Sequence, residues 1–238
     1  MVTVTQTDRR LEWAFLGSLA YARAERLQCL VRDRLRGGVG EEALLLLEHP
    51  HVFTLGRNAD AAEVLVDKAW LEARNIEVVS CDRGGRVTYH GPGQLVGYPI
   101  IDLNPDRRDL RRYVQDLQAV LVNLLKELGI EAEARRGSEE LGVWVGDRKI
   151  ASIGVHVSRW ITTHGFALNV DPELEYFSSI VPCGLRDVNM TSIAEVTAVE
   201  YELGEIAARC IRHFAKVFAR EPVQIPFEQL ETHWPIAS

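Results

Sequence analysis

Between Arg83 and Pro99 the chain reads Arg-Gly-Gly-Arg-Val-Thr-Tyr-His-Gly-Pro-Gly-Gln-Leu-Val-Gly-Tyr-Pro, with five glycines and two prolines. Glycine tolerates positive φ and leaves room where a Cβ would collide, so this density implies backbone set close against something. Arg83, Arg86 and His90 are interleaved with the glycines, which a plain turn between strands does not need. The run therefore reads as a binding loop. It also narrows the fold, because the common glycine-rich phosphate loops open a helix. No G-x-x-x-x-G-K-[ST] occurs. The nearest approach to a dinucleotide fingerprint, Gly91-x-Gly93, contains Pro92 and leads into Gln94-Leu-Val-Gly-Tyr-Pro-Ile-Ile-Asp-Leu103, which reads as a strand. Both nucleotide motifs are rejected.

The surrounding pattern is mixed. Trp13, Leu16, Ala20, Ala24, Leu27, Val31 and Leu35 recur three or four apart, predicting a helix over Leu11–Leu35 closed by Gly37-Gly38. Ala43–His49 reads as a buried strand, Ala61–Arg74 as a shorter helix, and Glu77–Asp82 as a strand entering the glycine-rich run, so strands bracket it. Leu110, Val114, Leu117, Leu121, Leu124 and Leu128 define an amphipathic helix ended by Gly129. Leu141–Val145, Lys149–Ser158 and Thr162–Val170 then form an antiparallel meander with turns at Gly146-Asp147 and near Arg159-Trp160. Asp171–Gly184 reads as irregular, and a last helix covers Leu203–Phe218. The expectation is one α/β (α+β layered) domain over residues 1–238, a mixed, largely antiparallel sheet flanked by helices.

A net charge of −7 on 238 residues, with no basic stripe among aromatics, argues against nucleic acid as a partner. Arginines do cluster, at Arg32, Arg34 and Arg36, at Arg107, Arg108, Arg111 and Arg112, and at Arg135 and Arg136. Such clusters are either solvated faces or docking ground for acidic proteins. The longest aliphatic run, Ala43–Leu47, is too short to span a bilayer, and no leader precedes it, so a cytoplasmic protein without a membrane partner is expected.

Four cysteines show no zinc or redox spacing, and no histidine pair has ligand spacing with a third partner, so no metal is expected. A nucleophilic thiol needs a nearby base or cation. Cys183 sits between Pro182 and Gly184 in an irregular stretch that can offer a side chain. Cys81 ends the strand before the glycine-rich run and is its competitor. Cys210 lies on the apolar face of the last helix, and Cys29 lies within the first. Lys149 shares strand parity with Ala151, Ile153, Val155 and Val157, which gives two readings: a partly desolvated base, or an exposed hairpin lysine. If the meander pairs through Arg159-Trp160, Ser152 and Gly154 lie beside Gly165 and Ala167. The small residues then either leave a trough for a narrow aliphatic chain or merely permit a bulge.

The glycine-rich run, with Gly-Asp-Arg-Lys-Ile-Ala-Ser-Ile-Gly around Lys149 and Val-Pro-Cys-Gly around Cys183, resembles the lipoyl(octanoyl) transferases of the biotin and lipoate protein ligase superfamily, over roughly Glu41–Phe227. The resemblance implies a biotin/lipoate protein ligase-like fold, Cys183 as the acyl carrier and Lys149 as its base. It implies an octanoyl group moved from octanoyl-acyl carrier protein to a lysine of the lipoyl domains of 2-oxoacid dehydrogenases and of the glycine-cleavage H protein. Because a thioester is already activated, no nucleotide, metal or other cofactor is needed. The donor arm and chain would run past Arg83, Gly84, Gly85, Arg86, Val87, Thr88, Tyr89 and His90, past Ser152, Ile153 and Gly154, and past Gly165, Phe166 and Ala167. The competing reading is an ATP-dependent lipoate or biotin ligase on the same fold.

Overall fold

The computed structural model describes residues 9–137, 140–181 and 188–234. It opens with a strand, β1 (Arg10–Ser18), and helix α1 follows only at Tyr21–Arg36. The single helix expected over Leu11–Leu35 is therefore half strand. The reason lies in how β1 is covered: Leu11, Trp13 and Phe15 pack into one core, and Ala14 and Leu16 into another. With both faces apolar the alternation disappears from the sequence, and helical spacing is matched by coincidence.

β2 (Glu42–Glu48) shows the same two-sided burial. Leu44 and Leu46 face one core, while Ala43, Leu45 and Leu47 face the other. β3 (Val52–Leu55), the short helix α2 (Lys68–Glu72) and β4 (Glu77–Ser80) come next. The helix expected over Ala61–Arg74 is thus broken into a 3-10 turn, Ala61–Glu63, and α2. Asp60 and Asp67 each cap a new start, accepting from Ala62 N and Trp70 N. The glycine-rich run is itself partly a strand, β5 (Val87–His90), and continues into β6 (Gln94–Ile100).

α3 (Leu110–Glu127) is capped by Asp109, whose carboxylate accepts from Arg111 N and Arg112 N, and Gly129 follows it at φ +77°. The edge strand β7 (Glu133–Arg135) precedes the meander, which folds as expected into β8 (Gly142–Val145), β9 (Arg148–Ser158) and β10 (Ile161–Asn169). Arg159 and Trp160 form the connecting two-residue turn, both at positive φ. The turn is held by Leu103 N donating to Trp160 O and by Arg108 stacked on the Trp160 ring. β11 (Asn189–Met190), α4 (Ile193–Thr197), α5 (Leu203–Phe218), β12 (Glu221–Gln224) and α6 (Leu230–His233) complete the described chain.

Eight strands run in the order β12-β1-β2-β6-β10-β9-β8-β7, with β11 added along β9, and β4-β3-β5 form a separate small sheet. β1 pairs parallel to both β12 and β2, whereas β2, β6, β10, β9, β8 and β7 pair antiparallel in turn. α3 and α5 cover one face of the large sheet and α1 the other. A third core, built on Phe53, Tyr89, Tyr176 and Phe177, lies beneath the small sheet. Among the described residues no helix is long and apolar enough to cross a membrane.

Candidate active site

The two sheets meet where the turn before β5 rests on β9. Gly84 N donates to Val155 O at 2.9 Å. The other side of the turn is fastened to residues after β3, with Gly56 N on Arg86 O, Arg57 N on Arg83 O and Asn58 N on Gly85 O. Between this turn and the β9–β10 pair lies a narrow cleft.

Three separate stretches named from the sequence line the cleft together: Arg83 through Thr88 with His90, Ser152 through Gly154, and Gly165 through Ala167. Tyr89 does not join them. It is fully buried on the far side of β5, against Phe53, Tyr176 and Phe177, and its hydroxyl bonds His51 Nδ1 at 2.9 Å. The alternation of side chains along a strand explains this, since the run was read as loop. Three lining residues escaped the sequence reading, Tyr21, Val96 and Tyr98, and a fourth, His164, is one of several histidines to which the sequence gives no fixed role. Val96 and Tyr98 sit at alternate positions of β6 within the glycine-rich run itself, a signal that strand parity would have given. Tyr21 had no local signal.

The small residues of the meander do fall side by side. Gly154 pairs directly with Gly165, and Ser152 with Ala167, in a ladder without a register shift. The space beside the glycines is used by neighbouring backbone. A Cβ on Gly154 would meet Gly84 O at 3.0 Å and Arg83 Cδ at 3.2 Å, and one on Gly165 would meet Gly97 O at 2.2 Å. These glycines let the turn and β6 close in, which is how the cleft becomes narrow.

Arg83 forms part of the polar wall. It is buried, and its guanidinium donates to Thr54 O at 2.6 Å, to Thr54 Oγ1 at 2.8 Å and to Gly84 O at 3.2 Å. Among the described residues no carboxylate lies within ion-pair distance of it. Arg86, by contrast, is paired with the buried Glu63. His90 and His164 are both held below the ordinary imidazole range. Burial is the main cause for each, with Gln94 opposing it at His90 and Asp82 opposing it at His164. His164 takes positive φ (57°) within β10. Its main-chain N–H is held by Gln28 Oε1 at 2.7 Å, and its Nε2 lies 2.6 Å from Asp82 Oδ1.

Lys149 is 1% exposed, so its side chain is enclosed, unlike an ordinary hairpin lysine. The strand parity assumed for it does not run on unbroken. β8 and β9 shift register by one residue, Val143 facing Ala151 and Trp144 facing Lys149, with Ile150 as the extra residue of a bulge. The ammonium approaches the Trp144 ring, 5.7 Å from its centroid. A Cβ on Gly142 would stand 2.6 Å from Lys149 Cε and 3.4 Å from Nζ. Gly142 is in turn the register partner of Ser152, so the amine end lies at the strand pair that leads into the cleft wall.

Cys183 lies outside the described residues. The chain beyond it returns alongside Lys149: Met190 pairs with Lys149 in parallel register, and Thr191 N donates to Lys149 O at 3.0 Å. Before it, Val181 N donates to Glu63 O at 2.8 Å. Cys81 is not among the cleft residues. It is half-buried in a second recess with Cys29, Arg32, Arg57 and Asp82, its thiol directed at Leu55 O, 3.4 Å away. Cys210 is fully buried, and burial pushes its thiol up to about 12.

A solved bi-partite lipoate protein ligase from Thermoplasma acidophilum superposes with a TM-score of 0.69 over 98% of both chains at 19% identity, which makes this a lipoate-ligase fold. Residues 20–215 match the lipoyl protein ligase A/B catalytic domain. An octanoyltransferase from Solibacter usitatus is 49% identical over 85% of this chain and 90% of its own length. One from Caldicellulosiruptor saccharolyticus is 42% identical over 93% and 94%. The chain belongs to the lipoyl protein ligase A/B catalytic-domain family and, within it, to the octanoyltransferases, which are acyltransferases.

Proposed function

We propose that this chain is one catalytic domain that carries an octanoyl group through a thioester on Cys183 to a protein lysine. The observation that carries the reading is the cleft itself. Three distant stretches line one narrow cleft, an enclosed lysine precedes one of them on the same strand, and the chain that follows Cys183 pairs with that lysine.

Lys149 serves as the base that takes the proton of the Cys183 thiol, and the thiolate attacks the thioester carbonyl of octanoyl-acyl carrier protein. The carrier's sulfur leaves and receives that proton, and the acyl group rests on Cys183. The lysine amine of a lipoyl domain then attacks the new thioester. Its lost proton returns through Lys149 to the Cys183 sulfur as the amide forms. The cleft holds the aliphatic chain between the Gly84 turn and the Ser152–Gly154 and Gly165–Ala167 backbone. The carrier donor rests on the family chemistry. The lipoyl-domain acceptors, which include the H protein in this reading, are supported by the related ligase, solved in a study of it and its E2 lipoyl domain. A cytoplasmic location follows from those partners.

Intact-mass measurement after adding octanoyl carrier protein without ATP tests this. An adduct of one octanoyl group should form on the unaltered chain and on Cys81→Ser, and be absent from Cys183→Ser. An adduct that survives Cys183→Ser, or product formed only from free octanoate with ATP, would replace this reading with another sulfur or with a ligase.

A further inference from the structure

Buried polar groups behind the cleft wall are joined end to end. His90 Nδ1 lies 2.7 Å from Gln94 Oε1, Gln94 Nε2 lies 3.0 Å from Asn169 Oδ1, and Asn169 Nδ2 lies 3.0 Å from Thr191 O. Thr191 N in turn donates to Lys149 O. Gln94, Asn169 and Thr191 are all buried from water, so solvent cannot substitute for a missing partner.

The direction of this chain is dictated by its main-chain end. A carbonyl oxygen only accepts, so Thr191 O requires the NH₂ of Asn169 to face it. That leaves Asn169 Oδ1 toward Gln94, whose NH₂ must occupy the gap, where it also reaches Tyr89 O at 3.4 Å. Gln94 Oε1 is then the atom facing His90, and His90 Nδ1 must carry the proton. Reversing Asn169 would set oxygen against Thr191 O. Reversing Gln94 would set oxygen against both Tyr89 O and Asn169 Oδ1. Each is a buried clash of acceptors. Burial, reinforced by the charges His49, Arg83 and His164 would carry, disfavours a second ring proton, so the imidazole is neutral and Nε2 is bare.

We propose that Gln94 and Asn169 are positioning residues that lock His90 as its Nδ1–H tautomer, so that Nε2 offers the cleft a hydrogen-bond acceptor for an amide or amine N–H of the bound substrate. A main-chain carbonyl beside the lysine strand thereby sets which hydrogen-bonding character the cleft wall presents. The proton on Nδ1 stands on the hydrogen bonds and the bare Nε2 on burial, while the effect on turnover rests on the transfer proposed above.

Long-range ¹⁵N–¹H spectra of the full chain labelled at histidine nitrogen, at neutral pH, read the tautomer directly, with His90 assigned by the signals lost in His90→Gln. The expected pattern is a protonated Nδ1 and a bare Nε2. Gln94→Met and Asn169→Leu should each release His90 to a mixture of tautomers, while the other six histidines report that the fold is kept. Each should also lower kcat/KM for octanoyl transfer about tenfold, the effect of one good hydrogen bond. A proton on Nε2 in the unaltered chain overturns the proposal, as does a tautomer indifferent to both substitutions or variants that turn over normally. An Nδ1–H spectrum from a chain that transfers no octanoyl group keeps the tautomer and removes the proposed function instead.

Discussion

Gly154 and Gly165 face each other across β9 and β10, yet alanine at the two positions should act through different channels. A Cβ on Gly165 would stand 2.2 Å from Gly97 O and 2.6 Å from Pro99 Cδ, both in β6. Relief requires two central strands to part by most of an ångström, in a strand buried at every position. Overpacking of this kind costs about 1–3 kcal/mol. At about 2–4 °C of Tm per kcal/mol for a chain of this size, Gly165→Ala should melt roughly 2–12 °C lower. A Cβ on Gly154 would meet Gly84 O at 3.0 Å and Arg83 Cδ at 3.2 Å. That neighbour is a partly exposed turn, which can yield by a few tenths of an ångström at a cost under about 1 kcal/mol. The turn is also the cleft wall, so its displacement should slow acyl loading about tenfold, below the roughly hundredfold loss of a full ångström of misplacement. Calorimetry gives the first quantity, and a mass time course of octanoyl addition at fixed donor concentration gives the second. Gly154→Ala melting as low as Gly165→Ala while loading at the unaltered rate would refute the view that the turn is seated on Gly154.

Lys149→Met keeps the volume of an enclosed side chain and removes its amine. It should leave Tm close to the original value and cut transfer by about 10²–10⁴, the usual weight of a positioned acid–base group, measured as rate of amide product. Arg83→Lys should not rescue Arg83→Ala: one ammonium cannot reproduce the fork that reaches Thr54 O, Thr54 Oγ1 and Gly84 O, and both variants should raise KM in octanoyl transfer assays. His49 is fully buried and bonded at both nitrogens, to Leu19 O and Tyr98 Oη, and burial lowers it to about 4 against the Leu19 bond. It charges in the unfolded chain but not in the folded one, so its contribution is complete above about pH 6.5 and is lost as pH falls toward 4. The loss amounts to about 3 kcal/mol. Urea midpoints at pH 7 and pH 4.5 should differ less in His49→Gln than in the unaltered chain, and an equal difference would contradict this.

Much of this was readable where one face of an element meets water. α3 and α5 carry one apolar stripe each and were found almost to the residue, and the meander was marked by its turns. β1 was not, because α5 covers one side of it and the second core, with Ile225, Leu230 and Trp234 beside residues of α1, the other, which erases the alternation. β7, β11 and β12 are two to four residues long and borrow their order from a neighbouring strand, so no local pattern could announce them. At the site, the residues of three stretches were found by chemistry and small size. The glycines make the run read as loop and group Tyr89 with them, whereas strand β5 turns it to the opposite side. His164, held in place by Gln28 from α1 and by Asp82, depends on contacts far apart in sequence.

β12 joins the outer edge of β1, so residues far apart in sequence meet along that side of the large sheet. During synthesis β1 must wait with one row of amide and carbonyl groups bare until Glu221–Gln224 leave the ribosome. A message cut short just before them would encode every described residue of the cleft and still leave Arg10–Trp13 as an uncovered, association-prone edge.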